Sequence, residues 1–193
     1  AVVLVQGAVI FVLLRQLGVI YLGTAQGVAN DGLAPGERAP AFSLPGIDGE
    51  LVSLEALRGL PLLLVFGSPT CAPCKGLIPD LNVFAEERAS DLRVLFLSRG
   101  EVEATQRFAS ENDLQVPVAT HPDEQLPEQY KARVTPFAFV IDAEGVVRAK
   151  GLANNREHLD MLMDIAASKH PHSTNGANGA NAETRSTAEE ARR

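Results

Sequence analysis

Two thiols, Cys71 and Cys74, are the only cysteines among 193 residues, and both stand in the stretch FGSPTCAPCK directly after the apolar run LPLLLV. A continuous apolar run of this kind reads as a central strand covered on both faces. Beyond it, Leu77, Leu81 and Phe84 recur at helical spacing. Cys71 is therefore expected at or near the helix N-cap. There, unpaired backbone N–H groups and the positive end of the helix dipole favour a thiolate, bringing a thiol pKa from about 8.5 into the range of about 3.5 to 7.5. Cys74, one turn further in, is placed to attack a mixed disulfide on Cys71 and release the substrate. Pro73 lacks an N–H that the first turn would leave unpaired, and its fixed φ suits a helix start. Lys75 adds a nearby cation.

Other readings of the pair are core cysteines, a static disulfide or half of a metal site. Two thiolates make half a zinc site, and no further residues stand at ligand spacing. His170 and His172 form a pair without a third ligand, so no metal and no cofactor are expected. A net charge of -7 removes the clustered basic footprint that nucleic acid requires.

The elements that must position the cysteines can be read on either side of them. AFSLPGIDGELVSL has two short apolar stretches around Asp48-Gly49, a dipeptide suited to a hairpin turn. After the cysteine helix come a strand RVLFLS, a helix at Glu101 to Asn112, a strand VPVAT and a short helix EQLPEQYK. FAFVI and VVRAK, joined by Asp142-Ala143-Glu144-Gly145, read as an antiparallel pair, and Arg156 to Ser168 as a final helix. Alternating strands and helices define an α/β domain over 39–168.

The flanks differ in character. Residues 1–23 are almost wholly apolar up to Leu14 and read as a membrane anchor beginning within the span, which also implies the membrane as a partner. A secretory signal peptide cleaved near Gly27 to Asn30 is the alternative. Residues 24–38, small and glycine-rich, read as a linker, and 169–193 as a disordered tail with almost nothing to bury.

The second chemical feature is Val134-Thr135-Pro136-Phe137, a proline opening a strand of aromatic and β-branched residues. With CAPC upstream and Pro79 five residues after Cys74, the pattern resembles the thioredoxin superfamily. The resemblance implies a central mixed sheet flanked by helices, with an N-terminal β-hairpin extension and a βα insertion. It also implies that Pro136 is cis and packs beside the redox disulfide Cys71–Cys74, with Thr70, Pro73, Thr135 and Pro136 contacting the substrate. GERAPAFSLPGIDGELVSL and VPVATHPDEQLPEQYKARVTPFAFVIDAEGVV are similar to membrane-anchored redoxins of the TlpA and ResA type. LLRQLGVIYLG with SPTCAPCK resembles the MauD family of accessory proteins for methylamine dehydrogenase maturation. That likeness implies an extracytoplasmic oxidoreductase or isomerase, located in the periplasm or at the cell surface. It would act on cysteine-containing client proteins and be reset by a membrane electron-transfer partner.

Departures from the superfamily pattern carry further expectations. Thr70 replaces the tryptophan before the first cysteine, and Val65 and Leu77 stand where relatives hold carboxylates near the second. Without such a proton acceptor, reduction should be slow, which favours oxidation or isomerisation and a potential above about -270 mV. Three alternatives stay open. A peroxiredoxin-like thiol peroxidase would have proline where Leu64 stands. A copper(I) carrier would use Cys71, Cys74 and a histidine such as His121, and a passive protein-binding module would use neither thiol.

Overall fold

The structure, a computed structural model, describes residues 31–168 and, separately, Gln6. The expected anchor, apart from Gln6, and the expected tail lie outside the described residues. Among the described residues no helix is long and apolar enough to cross a membrane.

Chain order is β1 (Ser43–Pro45), β2 (Leu51–Ser53), β3 (Leu62–Gly67), α1 (Ala72–Glu87), β4 (Arg93–Arg99), α2 (Val102–Glu111), β5 (Val118–His121), α3 (Gln125–Tyr130), β6 (Phe137–Ile141), β7 (Val147–Leu152) and α4 (Arg156–Ser168). The hairpin β1–β2 forms around the expected turn, with Gly49 at φ 90° and the Asp48 carboxylate accepting the Glu50 N–H at 3.0 Å. The remaining strands make a five-stranded sheet in the order β5-β4-β3-β6-β7. β3, β4 and β5 run parallel, while β6 and β7 are antiparallel to their neighbours. Parallel pairing requires crossovers, and α1 and α2 supply them. The sheet is thus mixed and centred on β3, every residue of which is buried.

Side-chain alternation divides β3 between two cores. Leu63 and Val65 face α1, α2 and α4, meeting Leu77, Leu81, Phe84, Phe108, Leu159 and Leu162. The α1 residues Leu77, Leu81 and Phe84 are fully buried, each contributing about 1.5–3 kcal/mol relative to exposure. Leu62, Leu64 and Phe66 face the other way, against Phe137, Phe139 and Tyr130. Among the described residues this second face carries no layer of long helices. The short α3 and N-terminal residues Leu33, Ala39, Phe42 and Leu54 cover it instead.

In the described part of the expected linker, Asp31, Gly32 and Leu33 are buried, while Ala34, Pro35, Gly36 and Arg38 are exposed. The N–H groups of Gly32 and Leu33 donate to Lys131 and Tyr130 carbonyls at 2.8 and 3.1 Å, and Lys150 Nζ donates to the Asp31 and Gly32 carbonyls at 2.6 and 2.9 Å. Gly32 has φ +77°, and a Cβ there would meet the Phe137 ring at 2.7 Å. Its glycine serves a close approach, not a flexible tether.

The β6–β7 turn is closed by Asp142, whose carboxylate accepts the Val146 and Glu144 N–H groups at 2.8 and 3.1 Å and Arg148 Nε at 2.6 Å. Burial alone would raise this carboxyl, but those donors and the Arg148 charge hold it below its usual 3.8.

Candidate active site

At the end of β3 the chain turns through Gly67-Ser68-Pro69-Thr70 into α1. Ser68, buried by the turn, organises it. Its Oγ accepts the Thr70 N–H at 3.2 Å and lies 2.9 Å from Thr70 Oγ1, and its carbonyl accepts the Cys71 N–H at 3.1 Å. Such a side-chain-to-backbone bond two residues on is a turn former. The serine–proline–threonine run carries this signal in sequence, and the resemblance points only to Thr70 within it.

Cys71 is the N-cap of α1, in extended conformation at φ -86° and ψ 106°, and its Sγ accepts the Cys74 N–H at 3.2 Å. Pro73 falls within the first turn, as expected. Cys71 and Cys74 form a disulfide with Cα atoms 5.2 Å apart. The two sulfurs differ in access: Cys71 is half-buried and Cys74 is sealed at 0% exposure. Cys74 packs in the same apolar cluster as Val65 and Leu77, both fully buried.

The peptide bond Thr135–Pro136 is cis. β6 pairs with β3 so that Phe137 lies opposite Phe66. Pro136 and Thr135 therefore lie at the end of the sheet where Ser68 to Cys71 leave β3. Pro136 is buried and its carbonyl accepts the Ala153 N–H at 3.2 Å, while Thr135 is exposed. Thr70, also exposed, stands at the same sheet end. The topology so assembles Thr70, Cys71, Pro73, Cys74, Thr135 and Pro136 from two distant segments.

His121 behaves otherwise. It ends β5 on the opposite sheet face from Cys74, with its ring against Phe66 at 6.0 Å between centroids. No group of three or more His, Cys, Asp or Glu residues converges in a metal-holding arrangement among the described residues. The cysteine–histidine copper site is therefore not assembled, because β-strand alternation sends His121 and Cys74 to opposite faces. Leu64, at the position of the peroxidase-signature proline, is likewise buried on the face away from Cys74.

A disulfide-forming pair at the start of the helix that follows a central strand, its first sulfur half-buried and its second sealed, with a cis-proline opening the adjacent antiparallel strand, defines a thioredoxin-fold protein disulfide oxidoreductase. Comparison with known proteins places the chain more narrowly. It belongs to the AhpC/TSA family, whose model matches residues 35–150, and within that fold it groups with MauD proteins. It is 33% identical to the methylamine utilization protein MauD of Methylorubrum extorquens over 159 residues, covering 79% of this chain and 75% of that one. It is 28% identical to the thiol-disulfide oxidoreductase ResA of Bacillus cereus, covering 60% and 68%. A solved structure from Chlorobium tepidum, described as a thiol:disulfide interchange protein DsbE, superposes with TM-score 0.64 at 27% identity, covering 69% of this chain and 98% of that one.

Proposed function

We propose that the chain is an extracytoplasmic, membrane-anchored enzyme that exchanges disulfides with cysteines of client proteins, with Cys71 as the attacking and attacked sulfur and Cys74 as the resolving one. The observation that carries this reading is the asymmetry of the pair: a reachable Sγ on the helix N-cap and a sealed partner one turn behind. In the oxidising direction a client thiolate attacks Cys71 Sγ, the Cys71–Cys74 bond breaks, and Cys74 leaves as a thiolate that takes up a proton. A second client thiolate then attacks the client sulfur of the mixed disulfide, forming the client disulfide and releasing Cys71 as a thiolate. Two electrons now reside on the enzyme, and a membrane electron-transfer partner removes them. Reduction is the same sequence reversed.

Thr135, exposed beside Pro136, offers its backbone to an extended client segment in the manner of strand addition. The likeness to MauD supports a client within methylamine metabolism, and maturation of a disulfide-containing enzyme such as methylamine dehydrogenase is the role that fits it. The apolar character of residues 1–23 supports anchoring. A Cys74→Ser variant tests the core of the reading. Mixed disulfides on Cys71 should accumulate in cells and be identifiable after thiol trapping, and they should vanish in Cys71→Ser/Cys74→Ser. No trapped protein in the single variant would contradict the assignment.

A further inference from the structure

Residues 31–39 run along the sheet face away from α1, from one end of the sheet to the other. At their start the Gly32 and Leu33 N–H groups bond to the Lys131 and Tyr130 carbonyls. Gly32 lies so close to β6 that a Cβ would meet the rings of Phe137 and Phe139 at 2.7 and 3.0 Å. Phe137 opens β6 opposite Phe66, next to the Gly67 that ends β3. This is the end of the sheet that carries Cys71, Thr135 and Pro136. Asp31 reaches Arg133, two residues before Thr135, at 3.8 Å. Further on, the Gly36 N–H donates to the Val147 carbonyl at 2.8 Å, and the Ala39 N–H to the Gly145 carbonyl at 2.9 Å. Gly145 lies in the β6–β7 turn, at the opposite end.

The direction of this strap decides where the chain comes into the domain. Asp31, the domain residue nearest the proposed anchor, is held at the disulfide end, and the far end is reached only at Ala39. Lys150 Nζ fixes the start of the strap through the Asp31 and Gly32 carbonyls at 2.6 and 2.9 Å. Asp31 and Leu33 are 8% and 6% exposed, so peeling the start away loses burial and hydrogen bonds together.

Chain length then limits the pose. Residues 24–30 separate Asp31 from the apolar segment 1–23. From residue 23 to residue 31 the chain spans at most about 28 Å when fully extended, and about 16 Å as a random coil. A domain of the size of residues 31–168 is about 37 Å across. Turning the far end to the bilayer would require the tether to run the full width of the domain, which it is too short to do.

We infer that the strap turns the Cys71–Cys74 end of the sheet towards the membrane, where it meets a membrane-embedded protein whose reactive cysteines lie at the bilayer surface. The inference rests on the anchored disulfide-exchange reading. Resetting then takes place at that surface. The Cys71 thiolate attacks the partner's disulfide, and one partner sulfur leaves as a thiolate. Cys74, giving up its proton, attacks Cys71 Sγ and releases the second, so two electrons pass to the partner and the Cys71–Cys74 bond is restored. Holding the site to the bilayer raises the partner's effective concentration without any new contact.

The test uses the full-length protein in phosphatidylcholine vesicles that contain a headgroup-labelled acceptor lipid. In a Cys71→Ser/Cys74→Ser background a donor fluorophore is attached through either Thr70→Cys or Glu144→Cys, both exposed, one at each end of the sheet. Energy transfer to the bilayer should be at least about twofold greater from position 70, since the two ends stand roughly a domain's width apart. Inserting about 20 Gly/Ser residues between Asn30 and Asp31 should erase the difference, because the lengthened tether can then reach around the domain. Equal transfer from both positions, greater transfer from position 144, or a difference that survives the insertion would overturn the orientation and leave the thiol chemistry of Cys71 and Cys74 intact. Protein that fails to bind the vesicles at all would overturn the anchored reading together with the orientation.

Discussion

The backbone N–H of Cys74 donates to the Sγ of Cys71 across 3.2 Å, so the resolving residue also solvates the attacking sulfur. In the reduced protein the same N–H and the N-terminal turn of α1 favour Cys71 as a thiolate. Cys74, sealed in hydrocarbon, gains no such donor. Alkylation of reduced protein should therefore modify Cys71 with a pH midpoint below that of a free cysteine, and Cys74 only on unfolding. Mass mapping of the labelled site over a pH series checks this, and equal labelling of both thiols at neutral pH would refute it.

Stabilising a thiolate stabilises the reduced pair, which makes the disulfide a better oxidant. The midpoint potential should lie above thioredoxin's value of about -270 mV. Equilibration against glutathione buffers with a gel-shift readout measures it, and a more negative value would show that burial of Cys74 outweighs the N-cap effect.

Val65 and Leu77, both at 0% exposure, surround Cys74 with side chains that cannot take a proton. A carboxylate at Leu77, one turn along α1, would supply an acceptor, and burial would raise its pKa towards neutrality where a base works best. Leu77→Glu should accelerate reductive release of a client by about tenfold while lowering stability by about 1–3 kcal/mol. Leu77→Gln should bring the same loss of stability without the gain in rate. Single-turnover release from a preformed mixed disulfide separates the two, and equal rates in both variants would mean that proton transfer from Cys74 is not limiting.

Much of this site was legible because its chemistry is local. Cys71, Pro73 and Cys74 sit within one helical turn, and the apolar run before them and the i, i+4 pattern after them fix strand and helix without tertiary help. Thr135 and Pro136 were reached by likeness to a known arrangement, and the β3–β6 register then places them at the disulfide end of the sheet. Ser68 and His121 were harder. His121 acquires its neighbours only through parallel pairing of β4 with β5, which sets Arg99 beside it, and through α3 folding back over the sheet end. The burial of Asp31, Gly32 and Leu33 depends on tertiary partners in the same way: Gly32 and Leu33 donate backbone bonds to Lys131 and Tyr130, and the Leu33 side chain joins the second core.

Gly67 is the last residue of β3 and stands directly before Ser68. A Cβ at this position would overlap the ring of Phe96, itself fully buried. Gly67→Ala should lower stability by about 1–3 kcal/mol, the usual range for forced overpacking, and slow disulfide exchange by displacing the turn that aims Cys71. Urea unfolding and peptide exchange rates report the two effects. Adding Phe96→Leu should recover part of both, and a second substitution that merely compounds the loss would point to backbone conformation instead of the ring.

The neutral ring of His121 should leave a mark on stability in mild acid. Its pKa is lowered below the ordinary 6.5 chiefly by burial, with Arg99 adding to the effect and Asp123 and Glu124 opposing it. As pH falls below about 6.5 the unfolded chain binds a proton that the folded chain refuses, so the unfolded state gains and stability declines until the folded pKa is reached. Above 6.5 the term is fully present. Asp142 acts at more acid pH: its folded pKa lies below 3.8, and its contribution is lost only as pH falls through that lower value. Denaturation midpoints across pH 8 to about 4.5 should therefore show a decline in the wild-type protein that His121→Phe flattens, with Asp142 still ionised throughout. A variant whose profile parallels the wild type over that span would show that His121 accepts its proton in the folded state as readily as in the unfolded one, and that its Nε2 is not shut away from solvent.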